Sequence, residues 1–408
     1  MNKFLQEFHD RGYFYQCTDN NGLSKILDHQ KIKAYIGFDC TAESLHVGSL
    51  LQIMCLRLLQ KFGHQPIVLL GGGTTRIGDP SGKDKTRKIL DDVTIEKNIK
   101  NIEKILKKYL STNDEKTSPI FVNNYDWLKN LNYISFLRDI GKHFTINKML
   151  SFDSVKLRLE REQSLSYMEF NYMILQAYDF LELKNKYNCS LQIGGSDQWG
   201  NIVNGVELIK RHLSKEVFGL TTPLITLASG AKMGKTESGA IWLDQKLLSP
   251  YDYWQFWRNI DDIDIKKFLK MFTDISLKDL EKKESDNIND LKILLANQAT
   301  SMLHGDNEAK KCFQQAKKIF SDYSSDEGLP TFKIKKKDVE NINLSDLILN
   351  KKLENSKSEI KRLIKNSGIR INNLKIENDL LVSKINLENK DHFKLSIGKK
   401  KHFKIQII

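Results

Sequence analysis

Short apolar runs that alternate with helical patterns constrain the first half of this chain more than any other feature. Lys33–Phe38 (KAYIGF) reads as a strand, and a helix follows from about Leu45 to Phe62. Pro66–Leu70 (PIVLL) reads as a second strand and runs into Gly71-Gly72-Gly73. Ile120–Asn123, Cys189–Ile193 and Pro223–Leu227 are further candidates. Strands alternating with helices predict a parallel sheet covered on both faces. Ligands of such sheets sit beyond the C-terminal strand ends, so the polar segments after these runs are where chemistry belongs. After Ser249 the pattern turns helical. Pro250–Asn259, Ile265–Thr273, Asp290–Leu303 and Asn307–Phe320 carry apolar residues three and four apart.

The charge is uneven. Lys and Arg number 64 against 51 Asp and Glu, a net +13 over 408 residues. Residues 341–408 alone hold 15 basic and 7 acidic residues, or +8. This marks a basic module at the C-terminal end and favours a polyanionic partner. Ser321–Lys337, polar with Gly328, Pro330 and a lysine run, reads as a tether. No run approaches the roughly 18 to 20 apolar residues of a membrane helix, and no secretory signal is expected from the opening residues. The five cysteines, at 17, 40, 55, 189 and 312, form no CxxC pair. Neither a disulfide framework nor a structural zinc site is expected, which points to a reducing, cytoplasmic setting.

Two familiar phosphate motifs fail. A P-loop around Lys83 would need glycine at 77 and Ser or Thr at 84, where the chain has Ile77 and Asp84. GxGxxG fails at Arg76. What remains is Gly71–Lys83 (GGGTTRIGDPSGK), whose five glycines, Asp79, Arg76 and Lys83 follow a strand directly. A plain turn needs no such length, so ligand contact is the reading.

Two further segments suit phosphate. Thr41-Ala42-Glu43-Ser44-Leu45-His46-Val47-Gly48-Ser49 lies between the first strand and its helix, where free N–H groups and the positive dipole end attract anions. Lys232-Met233-Gly234-Lys235-Thr236 follows the last candidate strand. Alone, the histidine is more often structural, and a loop lysine pair is more often solvated. Together, about 190 residues apart and each after a strand, they resemble the HIGH and KMSKS signatures of class I aminoacyl-tRNA synthetases. Ser49 replaces the final histidine, and Gly234 and Thr236 replace serines.

Tyr172, Gln176 and Asp179 fall within about 60° of one helix face. Met173, Ile174, Leu175 and Phe180 around them predict burial, and buried polar groups need partners that a polar ligand can supply. Leu191–Asn201 (LQIGGSDQWGN), Tyr35-Ile36-Gly37-Phe38-Asp39 and GDPSGK make the chain resemble the bacterial-type tyrosyl-tRNA synthetases over essentially its whole length. The resemblance implies that Tyr35 and Asp179 hold a phenolic hydroxyl. Tyr172, Gln176 and Asp79 would take the ammonium group, and Gln198 the carboxylate region. It places Gly37, Asp39, Gly48, Ser49, Gln192 and Asp197 along the amino acid and ATP, with Lys232 and Lys235. Thr41, His46, Lys83, Arg87, Lys232, Lys235 and Thr236 would contact the leaving pyrophosphate. ATP with Mg²⁺, L-tyrosine and tRNA(Tyr) are the implied substrates, with no prosthetic group, no protein metal cage and no membrane.

Asn355–Asn372 (NSKSEIKRLIKNSGIRIN) predicts a helix capped by Ser356 or Ser358 and ended by Gly368. Lys357, Lys361, Arg362 and Lys365 fall on adjoining faces, and the pattern resembles S-four-type RNA-binding domains, which grip RNA by phosphate and shape. The expected fold is α/β. A Rossmann-like parallel-sheet catalytic domain (1–222) leads into a lysine-loop connection (223–248). An α-helical anticodon-side domain (249–320) and a linker (321–340) come next, and a small α+β S-four-like domain (341–408) ends the chain. The resemblance also implies a homodimer through about 125–165. Competing readings are the tryptophan relative, a cytidylyltransferase-like nucleotidyltransferase, and a non-catalytic RNA-binding protein. The Gly194–Asn201 segment and the retained His46, Lys232 and Lys235 argue against them.

Overall fold

The structure is a computed structural model that describes residues 2–79, 90–228, 230, 233–236, 239–321, 329–354, 356–372, 374–385, 387, 391–398 and 401–408. Two compact units emerge, Met1–Ala309 and Lys310–Ile408.

The first unit is built on a six-stranded sheet. Its strands are β1 (Gln16–Cys17), β2 (Lys33–Asp39), β3 (Gln65–Gly71), β4 (Ile120–Asn123), β5 (Cys189–Gly195) and β6 (Phe218–Thr222). They lie in the order β1-β6-β5-β2-β3-β4. β2 to β6 are parallel, and β1 closes one edge antiparallel to β6. β3 and β5 are buried almost throughout, which is why they read as unbroken apolar runs. Tyr35, Ile67, Leu69 and Val122 share a core with Met173, Ala177 and Phe180 of the long helix Tyr167–Tyr187. From β2 the chain steps outward through β3 and β4, then returns to β5 on the other side of β2. The order therefore reverses between β2 and β5, the place where open parallel sheets bind ligands.

Two sequence expectations shift here. The strand predicted at Pro223–Leu227 is Phe218–Thr222 instead. It ends where Pro223 begins, because proline has no N–H to donate to a ladder. The glycine-rich stretch after β3 is not an open loop throughout, since Gly72–Ile77 closes into a short helix. The Thr74 and Thr75 hydroxyls of that helix bond back to Asp39 and to the Cys40 N–H.

Further helices follow later in the chain. Pro250–Arg258, Asp262–Phe272 and Ile288–His304 belong to the same compact unit as the sheet. Trp254, Trp257, Phe268 and Phe272 are buried there. Arg11, from the opposite end of the sequence and only 4% exposed, donates to the carbonyls of Lys270 (2.8 Å), Thr273 (2.9 Å) and Ile275 (2.9 Å). Carbonyls at a helix end need such donors, and a buried guanidinium supplies several at once. No described helix is long and apolar enough to cross a membrane. Between the sheet and these helices, β7 (Lys235–Thr236) and β8 (Gly239–Ala240) form a two-stranded ribbon.

The second unit has a five-stranded sheet of β9 (Thr331–Ile334), β10 (Ile369–Ile371), β11 (Leu374–Lys375), β12 (His392–Ile397) and β13 (Lys401–Ile407). The order is β11-β10-β12-β13-β9, and β9 runs parallel to β13. The predicted tether 321–340 therefore contributes a strand. Flanking lysines hide its alternation, in which Phe332 and Ile334 turn inward and Thr331 and Lys333 outward. The helix Lys357–Lys365 is capped by the Ser356 side chain, which accepts from the Glu359 N–H at 3.2 Å. Ile360 and Ile364 are buried beneath it, while Lys357, Lys361, Arg362 and Lys365 are exposed.

Candidate active site

A cavity of about 340 Å³ opens at the reversal between β2 and β5. Tyr35, Gly37 and Asp39 of β2 and Gln192, Gly194 and Gly195 of β5 line it. Tyr172, Gln176 and Asp179 of the long helix form one wall, and Gly48, Ser49 and Gln52 another. Asp79, Asp197 and Gln198 complete it. Segments far apart in sequence thus meet in one cleft.

The end near the long helix is closed. Asp179 is fully buried. It accepts from Asn124 Nδ2 at 2.9 Å and from Trp127 Nε1 at 2.8 Å. Burial pushes its carboxyl up to about 7, against the pull of those two donors. The Tyr35 hydroxyl is buried and, among the described residues, without a hydrogen-bond partner. Burial first, then the Asp179 charge, holds that phenol well above its ordinary range. Next along the wall, the Tyr172 hydroxyl donates to Asp39 Oδ2 at 3.1 Å, and the Thr74 hydroxyl donates to Asp39 Oδ1 at 3.0 Å. Gln198 Nε2 donates to Asp79 Oδ2 at 2.9 Å, while Gln198 Oε1 accepts from Asn201 at 3.0 Å. A space bounded by a phenol without a partner among the described residues and by a carboxylate can recognise a hydroxylated ring. The carboxylates of Asp39 and Asp79 beside it can hold a cation.

The other end is made of backbone. His46 Nδ1 accepts from the Gly48 N–H at 3.0 Å, which leaves Nε2 as the protonated ring nitrogen. Residues 44–47 pair antiparallel with 241–244. Val47 N donates to Ile241 O, Leu243 N to Leu45 O (2.9 Å each), and Asp244 N to Ser44 Oγ at 3.1 Å. This stitch lays Met233 and Gly234 over the histidine segment. A Cβ on Gly48 would lie 2.6 Å from the His46 ring and 2.8 Å from the Met233 carbonyl. Gly234, at φ +109°, leaves no more room. Ser49 starts the helix Leu50–Lys61 without a side-chain cap bond. Thr41 is exposed beyond the end of β2 and does not line the cavity. Lys83, Arg87 and Lys232 lie outside the described residues, and only the backbone of Lys235 and Thr236 is described. Among the described residues no cluster of three or more His, Cys, Asp or Glu is placed to hold a metal ion.

The sequence profile of a family described as tRNA synthetases class I (W and Y) matches residues 27–321. The chain belongs to that family. Along its full length this synthetase is 71% identical to the tyrosine–tRNA ligase of Pelagibacter ubique (strain HTCC1062), with 100% of each chain covered. It is 54% identical to that of Wolbachia sp. subsp. Brugia malayi, with 99% of each covered. In structure it resembles a C-terminally truncated mitochondrial tyrosyl-tRNA synthetase of Aspergillus nidulans. There the TM-score is 0.70 at 30% identity, over 78% of this chain and 94% of that one.

Three residues that line or brace the synthetase's cleft were not singled out in the sequence reading. Asn124 donates to both Asp179 and the Thr74 hydroxyl, and its Oδ1 accepts from the Gly73 N–H at 2.7 Å. Trp127 holds the other Asp179 oxygen. Thr74 links this group to Asp39. Asn124 follows the last residue of β4 directly, so the rule that sites lie past strand ends was the available signal.

Proposed function

We propose that this synthetase is a tyrosine–tRNA ligase, which joins L-tyrosine to ATP as tyrosyl-adenylate and then passes tyrosine to the 3′ end of tRNA(Tyr). The observation that carries the reading is the buried Tyr35 hydroxyl, without a partner among the described residues, lining the same cavity as the buried Asp179. A phenolic hydroxyl satisfies both. Phenylalanine leaves both unmet, at the cost of unsatisfied buried polar groups. Tyr172, Gln176 and Asp79 hold the ammonium group, and Gln198 the carboxylate region.

The tyrosine carboxylate attacks the α-phosphorus of ATP, the bond to the pyrophosphate oxygen breaks, and pyrophosphate leaves. Gly37, Asp39, Gly48, Ser49, Gln192 and Asp197 line the adenylate. Lys83, Arg87, Lys232 and Lys235 neutralise charge on the departing phosphates, and Thr41, His46 and Thr236 donate hydrogen bonds to them. Positioning and cationic stabilisation then carry the step. Magnesium travels with the triphosphate, in keeping with its preference for phosphate oxygens and water, and adds positive charge there.

The basic helix with Lys357, Lys361, Arg362 and Lys365 grips the tRNA backbone. A second copy of the chain covers the apolar surface at about 125–165, where Ile134 is 70% and Ile146 60% exposed. Tyrosine-dependent exchange between ATP and pyrophosphate tests the central reading. Tyrosine should support exchange, and tryptophan and phenylalanine should not. Exchange with tryptophan alone overturns it.

A further inference from the structure

Outside the cleft, His143 and His212 bring two imidazoles together from segments 69 residues apart. His143 closes the short turn of helix Gly141–His143, and His212 lies in the last turn of the helix Trp199–Leu213. His143 Nε2 and His212 Nδ1 stand 3.4 Å apart, with the ring planes at 87°. That is longer than the roughly 2.9–3.0 Å usual for an N–H hydrogen bond. It matches the spacing of two nitrogens on one tetrahedral zinc ion, since bonds of about 2.0–2.1 Å place them about 3.3–3.4 Å apart. Arg211 Nη1 donates to the His143 carbonyl at 2.6 Å. This bond anchors the turn against the helix, so both rings are presented from fixed backbone.

We propose that His143 and His212 form a two-imidazole site for a divalent transition-metal ion, zinc above all, which clips the turn at 141–143 to the end of the helix Trp199–Leu213. Each ring offers the lone pair of the nitrogen that faces its neighbour and keeps its proton on the other. Water fills the remaining positions, because no third His, Cys, Asp or Glu joins the pair among the described residues. The charges nearby are mixed. Lys142 and Arg211 act on His143 and oppose a cation. Glu207 offsets only part of this, since Lys148 and Arg211 both bond to it. The C-terminal end of the helix, where His212 sits, favours positive charge. Burial first, then His212, Lys142 and Arg211, hold His143 below the usual imidazole range, so its lone pair is available at neutral pH. The balance suits an exchangeable ion and not a closed structural zinc. Imidazole suits zinc, copper and nickel, whereas magnesium prefers oxygen, so the ion that accompanies ATP does not compete. The site stands apart from the ligase reading and does not depend on it.

The test is a zinc titration of the full chain, first stripped with a chelator, against a chromophoric zinc indicator. It is repeated on His143→Gln and on His212→Gln, with circular dichroism to confirm that each is folded. The unaltered chain should take up one zinc ion at micromolar concentration, and each variant should bind it about tenfold more weakly or worse. Zinc should raise the thermal midpoint of the unaltered chain and of neither variant. The rise should vanish as pH falls through about 6.5 and both rings take up protons. His212 is exposed, so its replacement leaves the fold intact and keeps the test decisive if the other variant does not fold. Equal affinity in the unaltered chain and His212→Gln, or no ion bound at micromolar zinc, overturns the site. Weakening in one folded variant alone reduces it to a single imidazole and overturns the pair.

Discussion

At the end of the cleft beside Asp179, side chains from one long helix, one buried strand and the residues after β4 hold one another in place. At the end beside His46, backbone segments from distant parts of the chain lie against each other with glycines between them. Asp179 is fixed by two donors and Asp39 by two more. Around His46 the contacts are an N–H, a carbonyl and a strand-like stitch. The first arrangement selects a shape, because every group that meets the ligand is already oriented. The second leaves no room for side chains at Gly48 and Gly234, the condition under which main chain could approach a charged ligand closely.

The largest effect that would sharpen this contrast concerns stability. Asp179 titrates near 7 in the folded chain, above the ordinary carboxylate value. Its protonated form therefore contributes stability that is full below about pH 4 and lost as pH rises through 7. Asp179→Asn should gain on the native chain across that window by up to about 4 kcal/mol, read from urea titrations at several pH values. Parallel curves would mean that Asn124 and Trp127 fully offset burial.

Next in size, His46→Ala should slow adenylate formation by about 10²- to 10³-fold, as for the loss of one well-placed donor. Tyrosine affinity, followed by equilibrium dialysis, should hardly move. If both changed together, the two ends would not be separable. Conversely, Asp179→Asn should weaken tyrosine binding by about 10- to 100-fold, through a lost charge-assisted hydrogen bond, and leave KM for ATP within about twofold. Smallest is Thr74→Val, which removes the hydroxyl joining Asn124 to Asp39. About a 3- to 10-fold loss in kcat/KM for tyrosine is expected, and no change in exchange kinetics would show that Asn124 alone keeps the wall in order.

What was legible in the sequence follows the same division. β2, β3 and β5 are buried runs, and the polar stripe Tyr172, Gln176 and Asp179 is set by helical geometry, so local pattern was enough. Asn124 and Trp127 lie more than 50 residues from the carboxylate they bind, a pairing that no local pattern contains. β6 was misplaced because its buried threonines look like loop residues, and Thr221 and Thr222 are fully buried. β9 was missed because solvated lysines surround a four-residue alternation. The pairing of 44–47 with 241–244 was foreshadowed only by the two signatures, since neither segment has a strand's composition.

That stitch also orders events during synthesis. All six strands of the first sheet are complete once Thr222 has been made, yet the histidine segment gains its backbone partners only when residues 241–244 emerge. At about 5–20 residues per second, a nascent chain spends a second or more with a finished sheet and an unbraced His46 segment. On the ligase reading, ribosome-bound fragments that stop in this interval should make no adenylate, and activation should begin only once residues 241–244 have joined the sheet-bearing unit.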